Sequence, residues 1–354
     1  EIGAVDWETI LKGLDYADGL IVYLLARDGV ELARARNRAC AETSPRVVFV
    51  IPARPLTTIE ELLRELAALS DLKNDPTFRE QDPKIVEELD FFIEDTTALL
   101  AKALAPLTDP WQADAEWYWQ GRRYSVSSPG EVTRLVSHIC DTVFPHTPEL
   151  HNDLINRHHP TTMQIKAAEQ VVDALLTRPP DEQLGITGFG PDWLILHTVL
   201  RASGILRQEE GGRWVIGAPT QPALAAAWRV IASFLERARQ SPQPFAELID
   251  ALQSPPFGLR RGILPLLIAA TLRQHWAVVT VRRNGKAVFP VTGAVLTDLC
   301  RNPQAYTLEL GPDDARVHYL WALLEERFCA GLPPEERQRQ PLQVISTGMM
   351  RWLR

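Results

Sequence analysis

The stretch SPPFGLRRGILPLLIAATLRQHWAVVTVRRNGKAVF, residues 254–289, contains the pattern that decides the fold of the second half of the chain. Pro255-Pro256 ends a preceding helix, because the residue before a proline is driven out of helical geometry. Gly258 and Gly262 permit tight backbone geometry around the start of the next, apolar helix. An Asn284-Gly285 turn then joins two strands. The order helix, turn, helix, hairpin is typical of a winged helix, which offers one helix to a DNA groove.

The same region is unusual in its charge. No Asp or Glu occurs from Ala251 to Thr297, although the chain has 45 acidic residues and a formal net charge of −8. Such a local basic surface is what a polyanion selects. The candidate nucleic-acid-binding residues are Arg260, Arg261, Arg273, Arg282, Arg283 and Lys286. Since acids are also scarce in protein cores, burial of the whole segment is the alternative interpretation.

The sequence context of two pairs of arginines affects how well they would bind phosphate. Arg260 and Arg261 stand at a predicted helix N-terminus, where the helix dipole disfavours cations. A phosphate bound by both the helix end and the arginines would explain them, and so would an acidic patch of another domain. Arg207 and Arg213 flank an earlier hairpin and are weaker candidates, because Glu209-Glu210 at its tip repels phosphate.

The hydrophobic pattern predicts a mostly α fold with small β-hairpins (α+β), in which tandem winged-helix-like units follow a partial α/β domain. The apolar runs Gly19–Ala26 and Arg46–Ile51 bracket a helical pattern, which is the order of a β-α-β unit. Farther along, an apolar helix followed by a glycine-turn hairpin occurs twice, around Gly211-Gly212 and around Asn284-Gly285. We therefore predict an α/β segment with a helical extension (1–110), a helical bundle ending in a first winged-helix-like unit (111–219), a second, basic unit (220–311) and a helical tail or linker (312–354).

Two segments of the first half have compositions that suggest contacts. Between Thr57 and Ala98 the acids outnumber the bases by twelve to four, which predicts a face turned to solvent or to a basic partner. The segment EWYWQGRRYSV (116–126) alternates about a Gln120-Gly121 turn and predicts a hairpin. Its tryptophans, beside Arg122-Arg123, favour either the stacking of bases or the capping of a domain edge.

Motifs for catalysis and cofactor binding are missing from the sequence: GxxxxGK[ST], GxSxG and HExxH do not occur. Gly185–Gly190 (GITGFG) lacks the lysine of a phosphate-binding loop and predicts a turn. We therefore predict no catalytic residue, no metal ligand and no cofactor. The histidines lack the paired spacing of a zinc site and are expected at the surface or at helix caps; they are His138, His146, His151, His158 and His159, with Cys140 nearby.

Cysteine use and hydropathy predict a cytoplasmic protein. Cys40, Cys140, Cys300 and Cys329 form no CxxC pair, which is typical of reduced thiols in that compartment. No apolar run approaches the roughly 18 residues of a membrane-spanning helix, so no membrane contact is predicted. The chain begins at Glu1 without an initiator Met, which favours a processed or partial chain.

Three segments resemble the large P-loop ATPases of bacterial phage-defence islands, the BREX-type family and its relatives. They are PELHNDLINRHHPTTMQIKAAEQVVDALL (148–176), EQLGITGFGPDWLILHTVLRASGIL (182–206) and LQSPPFGLRRGILPLLIAATL (252–272), and FPVTGAVLTDLCRNPQAYTLEL (289–310) continues in the same manner. The nucleotide-binding domain of that family is absent. The resemblance implies a middle or C-terminal region of such a protein, or a stand-alone relative. It also implies cytoplasmic phage resistance, with double-stranded DNA and other defence-system proteins or an ATPase domain as partners.

These patterns favour a non-catalytic DNA-engaging and assembly module of a BREX-like phage-defence ATPase, in which a basic winged-helix-like unit binds phosphates. The alternative is a protein–protein interaction scaffold of the defence complex, whose basic patch meets an acidic partner.

Overall fold

The computed structural model describes residues 5–14, 17–79, 83–109, 111, 115–157, 159–311, 314–333 and 341–353. The chain forms two compact units, Glu1–Val143 and Phe144–Arg354. Both combine helices with small β-sheets, so the predicted α+β class is confirmed. The predicted divisions at 110/111 and 219/220 fall inside these units, and the chain divides at 143/144 instead.

The first unit is built around a four-stranded sheet. Its strands follow the order β1-β2-β3-β4, with β1 parallel to β2 and the other neighbours antiparallel. The predicted β-α-β unit is present as β1-α2-β2, in which Asp28 caps α2 and all six residues of β2 are buried. The elements are α1 (Trp7–Gly13), β1 (Leu20–Tyr23), α2 (Gly29–Ala41), β2 (Val47–Pro52), α3 (Thr57–Asn74), α4 (Pro76–Arg79), α5 (Pro83–Thr108), β3 (Ala115–Trp119), β4 (Arg122–Tyr124) and α6 (Pro129–Val143).

The aromatic hairpin is part of this sheet. β3 pairs with β2, and Trp117 and Trp119 are only 1% and 4% exposed. The base-stacking interpretation is therefore wrong, because burial leaves these rings no accessible face. Glu116 accepts hydrogen bonds of 2.8 and 3.0 Å from Arg36, which fasten the hairpin to α2. Burial would raise the pKa of Glu116, but these bonds and one from Tyr118 lower it below its ordinary value.

Helices α3 and α5 pack against each other as a helical hairpin, which we call the arm. The ion pair Lys73–Asp90 joins them at 2.6 Å. None of the residues of α3, which is described throughout, is buried. On α5, Ile85, Phe92 and Leu99 are seven residues apart, so they lie along one side of the helix, and all three are exposed. The acid-rich part of the chain therefore presents an exposed apolar stripe.

The second unit contains two sheets, a β5-β6 hairpin and a four-stranded sheet in the order β7-β10-β8-β9. Its elements are α7 (Asp153–Asn156), α8 (Thr162–Thr177), α9 (Pro191–Ile195) continued by a π-helical segment (Leu196–Arg201), β5 (Leu206–Gln208), β6 (Trp214–Ile216), α10 (Pro222–Ala238), β7 (Gln243–Pro244), α11 (Phe245–Gln253), α12 (Leu264–Leu272), β8 (Val279–Arg283), β9 (Lys286–Ala287), α13 (Gly293–Arg301), β10 (Tyr306–Leu310), α14 (Ala315–Phe328) and α15 (Pro341–Trp352). Short 3-10 turns follow α12 and precede β10.

One continuous hydrophobic core, with buried residues from Ile155 to Leu310, runs through the second unit. Helix α12 lies within it: all nine of its residues are buried, and it packs against α8, α10 and α13. The acid-free segment thus contains a helix without a solvent face, which is one reason for its lack of acids. The burial interpretation is confirmed for α12.

Gly258 and Gly262, at the predicted start of α12, lie in close contact with neighbouring residues. Gly258 has a φ of +59°, and a Cβ there would lie 2.7 Å from the ring of Phe144. A Cβ on Gly262 would lie 2.9 Å from Cα and from the carbonyl carbon of Ile155 in α7. Any side chain at these two positions would therefore push the turn before α12 away from its neighbours.

The tail helices α14 and α15 pack against each other through a small cluster formed by Cys329, Leu332, Val344 and Ile345. Trp321 of α14 also packs against the main core of the second unit. Among the described residues, no helix combines the length and the hydrophobicity needed to cross a membrane.

Candidate nucleic-acid interface

Arg260 and Arg261 lie in the turn that precedes α12. Arg261 is exposed and Arg260 is partly exposed, and both interact with other groups of the chain. Burial raises the pKa of Cys300 in α13, and the nearby charge of Arg261 opposes this rise. Cys300 is next to the last residue of α13, and a cation near a helix C-terminus is stabilised by the helix dipole. The charge of Arg261 is therefore favourable at this end of α13 even without a phosphate.

Arg273, directly after α12, is turned into the protein. Its guanidinium donates a hydrogen bond to the main-chain carbonyl of Leu175 in α8. Burial lowers the pKa of Arg273, because the charged form loses hydration. This side chain fastens the end of α12 to α8, so its proposed role as a phosphate ligand does not fit its position.

The remaining basic candidates belong to β8, β9 and the turn between them, which we call the wing (residues 279–287). Asn284 and Gly285 have φ angles of +50° and +79°, as the predicted two-residue turn requires. Arg283 pairs with Asp298 of α13 at 3.2 Å and lies over the ring of Tyr306. Lys286 is exposed beside the turn.

The other wing arginine, Arg282, is also paired. Its guanidinium lies 3.1 and 3.2 Å from a carboxylate oxygen of Glu309 in β10. Both partners are partly exposed, so water screens this ion pair and it adds little to stability. Arg282 is therefore partly neutralised by a residue from outside the acid-free segment.

Asp298 is held in its ionised form. Its carboxylate accepts a hydrogen bond of 2.5 Å from Tyr306 and another from Asn302, and Arg283 is close. These interactions lower the pKa of Asp298. Burial and the bond to Asp298 raise the pKa of Tyr306 to about 12. Any anion that binds Arg283 must therefore compete with a carboxylate that is already in place.

The two weaker candidates are occupied within the first hairpin. Arg207 donates hydrogen bonds of 2.9 Å to the carbonyl oxygens of Gly204 and Ala218. Arg213 lies 3.5 Å from Glu209 and is largely exposed. Arg207 thus stabilises the hairpin, and the charge of Arg213 is partly offset by its neighbour.

The structure does not bring the predicted basic residues together on one helix that could enter a DNA groove. Helix α12, which follows Arg260-Arg261, is buried at every position. Arg283 pairs with Asp298 of α13, and the charge of Arg261 acts on Cys300 of the same helix. The accessible basic candidates are Arg261 and Arg213, which are exposed, together with the wing, where Lys286 is exposed and Arg283 is about half exposed.

A row of aromatic side chains begins within the GITGFG segment (185–190), for which the sequence predicts only a turn. The rings of Phe189 and Trp193 are 5.2 Å apart and T-shaped, and those of Trp193 and His197 are 4.0 Å apart. Arg201 continues the row, since its guanidinium lies 5.3 Å from the ring centre of Trp214 in β6. The signal was present in the sequence, because residues four apart share one face of a helix.

The described histidines do not form a metal site. His138 packs edge-on against Trp119 in the first unit, and the ring of His146 lies tilted against that of Phe257 in the second. Within the described residues, no group of three His, Cys, Asp or Glu side chains is placed to hold a metal ion. His158 lies outside the described residues.

No protein-family model, curated protein or solved structure matches the chain.

Proposed function

We propose that this chain is a non-catalytic assembly module of a bacterial BREX-like phage-defence ATPase system, which works in the cytoplasm by binding other defence proteins or an ATPase domain. The residues of segments 148–176, 182–206 and 252–272 support this context through their resemblance to that family. The element order also supports tandem winged-helix-like folds, because a helix precedes a glycine-turn hairpin at β5-β6 and again at β8-β9.

The observation that most directly supports assembly is the apolar stripe on the arm. Phe92 at its centre is 61% exposed, and exposed apolar patches of this kind mark protein interaction sites. Glu88 and Asp95 follow Ile85 and Phe92 by three residues, so they lie beside the stripe. An apolar row beside acids fits a partner helix with an apolar row beside bases.

The test is to mix the chain with a BREX-type P-loop ATPase from the same genome and to measure complex formation by sedimentation velocity. Phe92→Glu should weaken the complex at least about tenfold, because it places a charge in the apolar contact. Met163→Glu, at an exposed apolar residue of the second unit, is the matched control and should bind like the wild type. The proposal fails if the wild-type chain forms no complex or if both variants bind equally.

A second function, contact with double-stranded DNA, is favoured by the exposed position of Lys286 next to Arg283 on the wing. Since α12 is buried, such contact would involve phosphates and not base edges. In anisotropy titrations of a labelled duplex at several salt concentrations, a slope of about −2 to −4 in log affinity against log salt would correspond to a few phosphate contacts. An absence of binding at low salt would exclude this function.

A further inference from the structure

The aromatic row of the second unit is an exposed and rigidly supported surface. Phe189 lies between Gly188, with a φ of +88°, and Gly190, and its side chain is 89% exposed. Its ring rests on Trp193, which itself packs against the main core. Packing against the core therefore holds Trp193 in place, whereas Phe189 is exposed to solvent. A large ring held out from a supported platform is typical of an interaction anchor.

The helix that carries this row has an unusual backbone. It changes from α-helical to π-helical geometry between Ile195 and Leu196 and remains so to Arg201. Such π-helical insertions are often found at functional sites. Here the segment contains His197, whose ring lies next to Trp193, and it ends at Arg201 on Trp214. The row is thus continuous from the loop at Phe189 to the hairpin β5-β6.

Acids outnumber bases by three to two on the segment that carries the row: Asp181, Glu182 and Asp192 against Arg178 and Arg201. Arg178 donates a hydrogen bond to the carbonyl of Gly185. The carboxylate of Asp192 lies close to Gly190, the residue after Phe189, since a Cβ on Gly190 would lie 2.6 Å from its carboxylate oxygen. Asp181 and Glu182 are exposed on the preceding loop. The charge of Arg201 is offset by Glu182 at 3.1 Å. Burial and the nearby Arg201 also lower the pKa of His197, which favours the neutral form of this ring.

We propose that Phe189 and Trp193 form a docking site for an arginine side chain in a basic segment of a partner protein. The guanidinium stacks on the exposed face of Phe189, and the carboxylate of Asp192 balances its charge. Arginine is preferred to lysine, because a planar guanidinium stacks on a ring while it donates to a carboxylate. The excess of acids over bases also makes the site less favourable for the phosphate backbone of a nucleic acid. This site is separate from the arm, and it does not depend on the function proposed above.

The experiment uses the full chain, labelled with ¹⁵N, and hexa-arginine as the probe. The amide resonances of Gly188 and Gly190 report binding at the site itself. They therefore distinguish it from non-specific binding of the basic peptide elsewhere on this acidic protein. We expect saturable shifts of both resonances, and a dissociation constant that Phe189→Ala raises about two- to fivefold. Hexa-lysine should bind this site more weakly than hexa-arginine.

Two controls separate this site from general charge attraction and from misfolding. Phe189→Ala leaves the net charge unchanged and removes a side chain that is 89% exposed, so its melting temperature should match that of the wild type. Met163→Ala, also exposed and apolar, should leave the dissociation constant unchanged. Equal binding of hexa-arginine by Phe189→Ala and the wild type would overturn the proposal. The proposal would also be overturned if oligothymidine shifted the amide resonances of Gly188 and Gly190 in the wild type and not in Phe189→Ala. The row would then be a surface on which bases stack.

Discussion

Replacement of Gly262 by alanine tests whether the position of α12 depends on direct backbone contact with α7. In the folded chain a Cβ at this position would lie 2.9 Å from two main-chain carbons of Ile155, and closer still to its carbonyl oxygen. No side-chain rotation relieves this overlap, because all three atoms belong to the backbone. Ordinary contact of a Cβ begins at 3.4 Å, so α7 and the turn before α12 must separate by at least about 0.5 Å.

The expected cost follows from the balance of two effects. Overpacking in a well-packed interior costs about 1–3 kcal/mol, and the upper part of that range applies where the neighbour is backbone. Alanine recovers about 0.4–1 kcal/mol, because it restricts the unfolded chain more than glycine does. We therefore expect Gly262→Ala to lower the free energy of unfolding by about 2 kcal/mol. In a unit of this size that change corresponds to a fall in melting temperature of about 4–8 °C.

Scanning calorimetry of the full chain measures this change directly. Gly331→Ala is the matched control, because a Cβ there meets nothing within 4 Å and the residue has no positive φ. That variant should melt at the wild-type temperature or up to about 4 °C above it. If Gly262→Ala melts at the same temperature as Gly331→Ala, then α7 yields without cost and the argument from close backbone contact is wrong.

Three further predictions concern α12, α13 and the wing. Leu267→Ala removes a fully buried side chain of α12 and should lower the free energy of unfolding, measured in urea, by about 2–5 kcal/mol. A loss below about 1 kcal/mol would mean that neighbouring side chains fill the cavity. The pKa of Asp298 is lowered by the hydrogen bond from Tyr306, so the ionised carboxylate stabilises the fold above the pKa of an unfolded aspartate, and this contribution is lost as the pH falls through the lower folded pKa. Unfolding free energies of Asp298→Asn should therefore change less with pH than those of the wild type on the acid side of about pH 5, and parallel pH profiles would contradict this. Lys286→Glu, at an exposed position, should change the free energy of unfolding by no more than about 0.5 kcal/mol. If the wing binds duplex DNA, the same substitution should also reduce the slope of log DNA affinity against log salt by about 1. An unchanged slope would show that Lys286 does not contact DNA.

The local pattern of residues 254–289 was sufficient to predict the elements around α12. Proline and glycine positions, the apolar run and the Asn284-Gly285 turn each act over a few residues, and the corresponding turn, helix and hairpin are present. The α-β alternation near the start of the chain likewise predicted β1-α2-β2. These signals depend on backbone preferences and hydrophobic periodicity, which sequence displays directly.

The charge around the acid-free segment was harder to predict, because acids absent from a segment can be supplied by its neighbours in space. β10 enters the sheet between β7 and β8, where Leu308 lies opposite both Gln243 and Val281. This pairing brings Glu309 to Arg282, and α13 brings Asp298 to Arg283. Both acids follow the acid-free segment in the chain. Long-range strand pairing of this kind leaves no local signal in the sequence.

The domain divisions depended on a repeated pattern that does not correspond to separate cores. An apolar helix and a glycine-turn hairpin occur twice, as predicted, but α8 of one half packs directly against α12 and α13 of the other. The sequence shows which residues are apolar, but it does not show which of them pack against each other in the folded chain. The boundary at 219/220 therefore has no counterpart in the packing.

The continuous core from Ile155 to Leu310 also determines how the second unit opens. Amide protons in α8 and α12 are protected by side chains from both halves, so they should exchange with solvent only when the whole unit unfolds. Helix α3 of the arm, which is described throughout, has no buried residue. Its amide protons should therefore exchange with solvent through small local openings. A protease would accordingly cut the arm long before it separates the two halves of the second unit, and neither half would persist as a folded fragment.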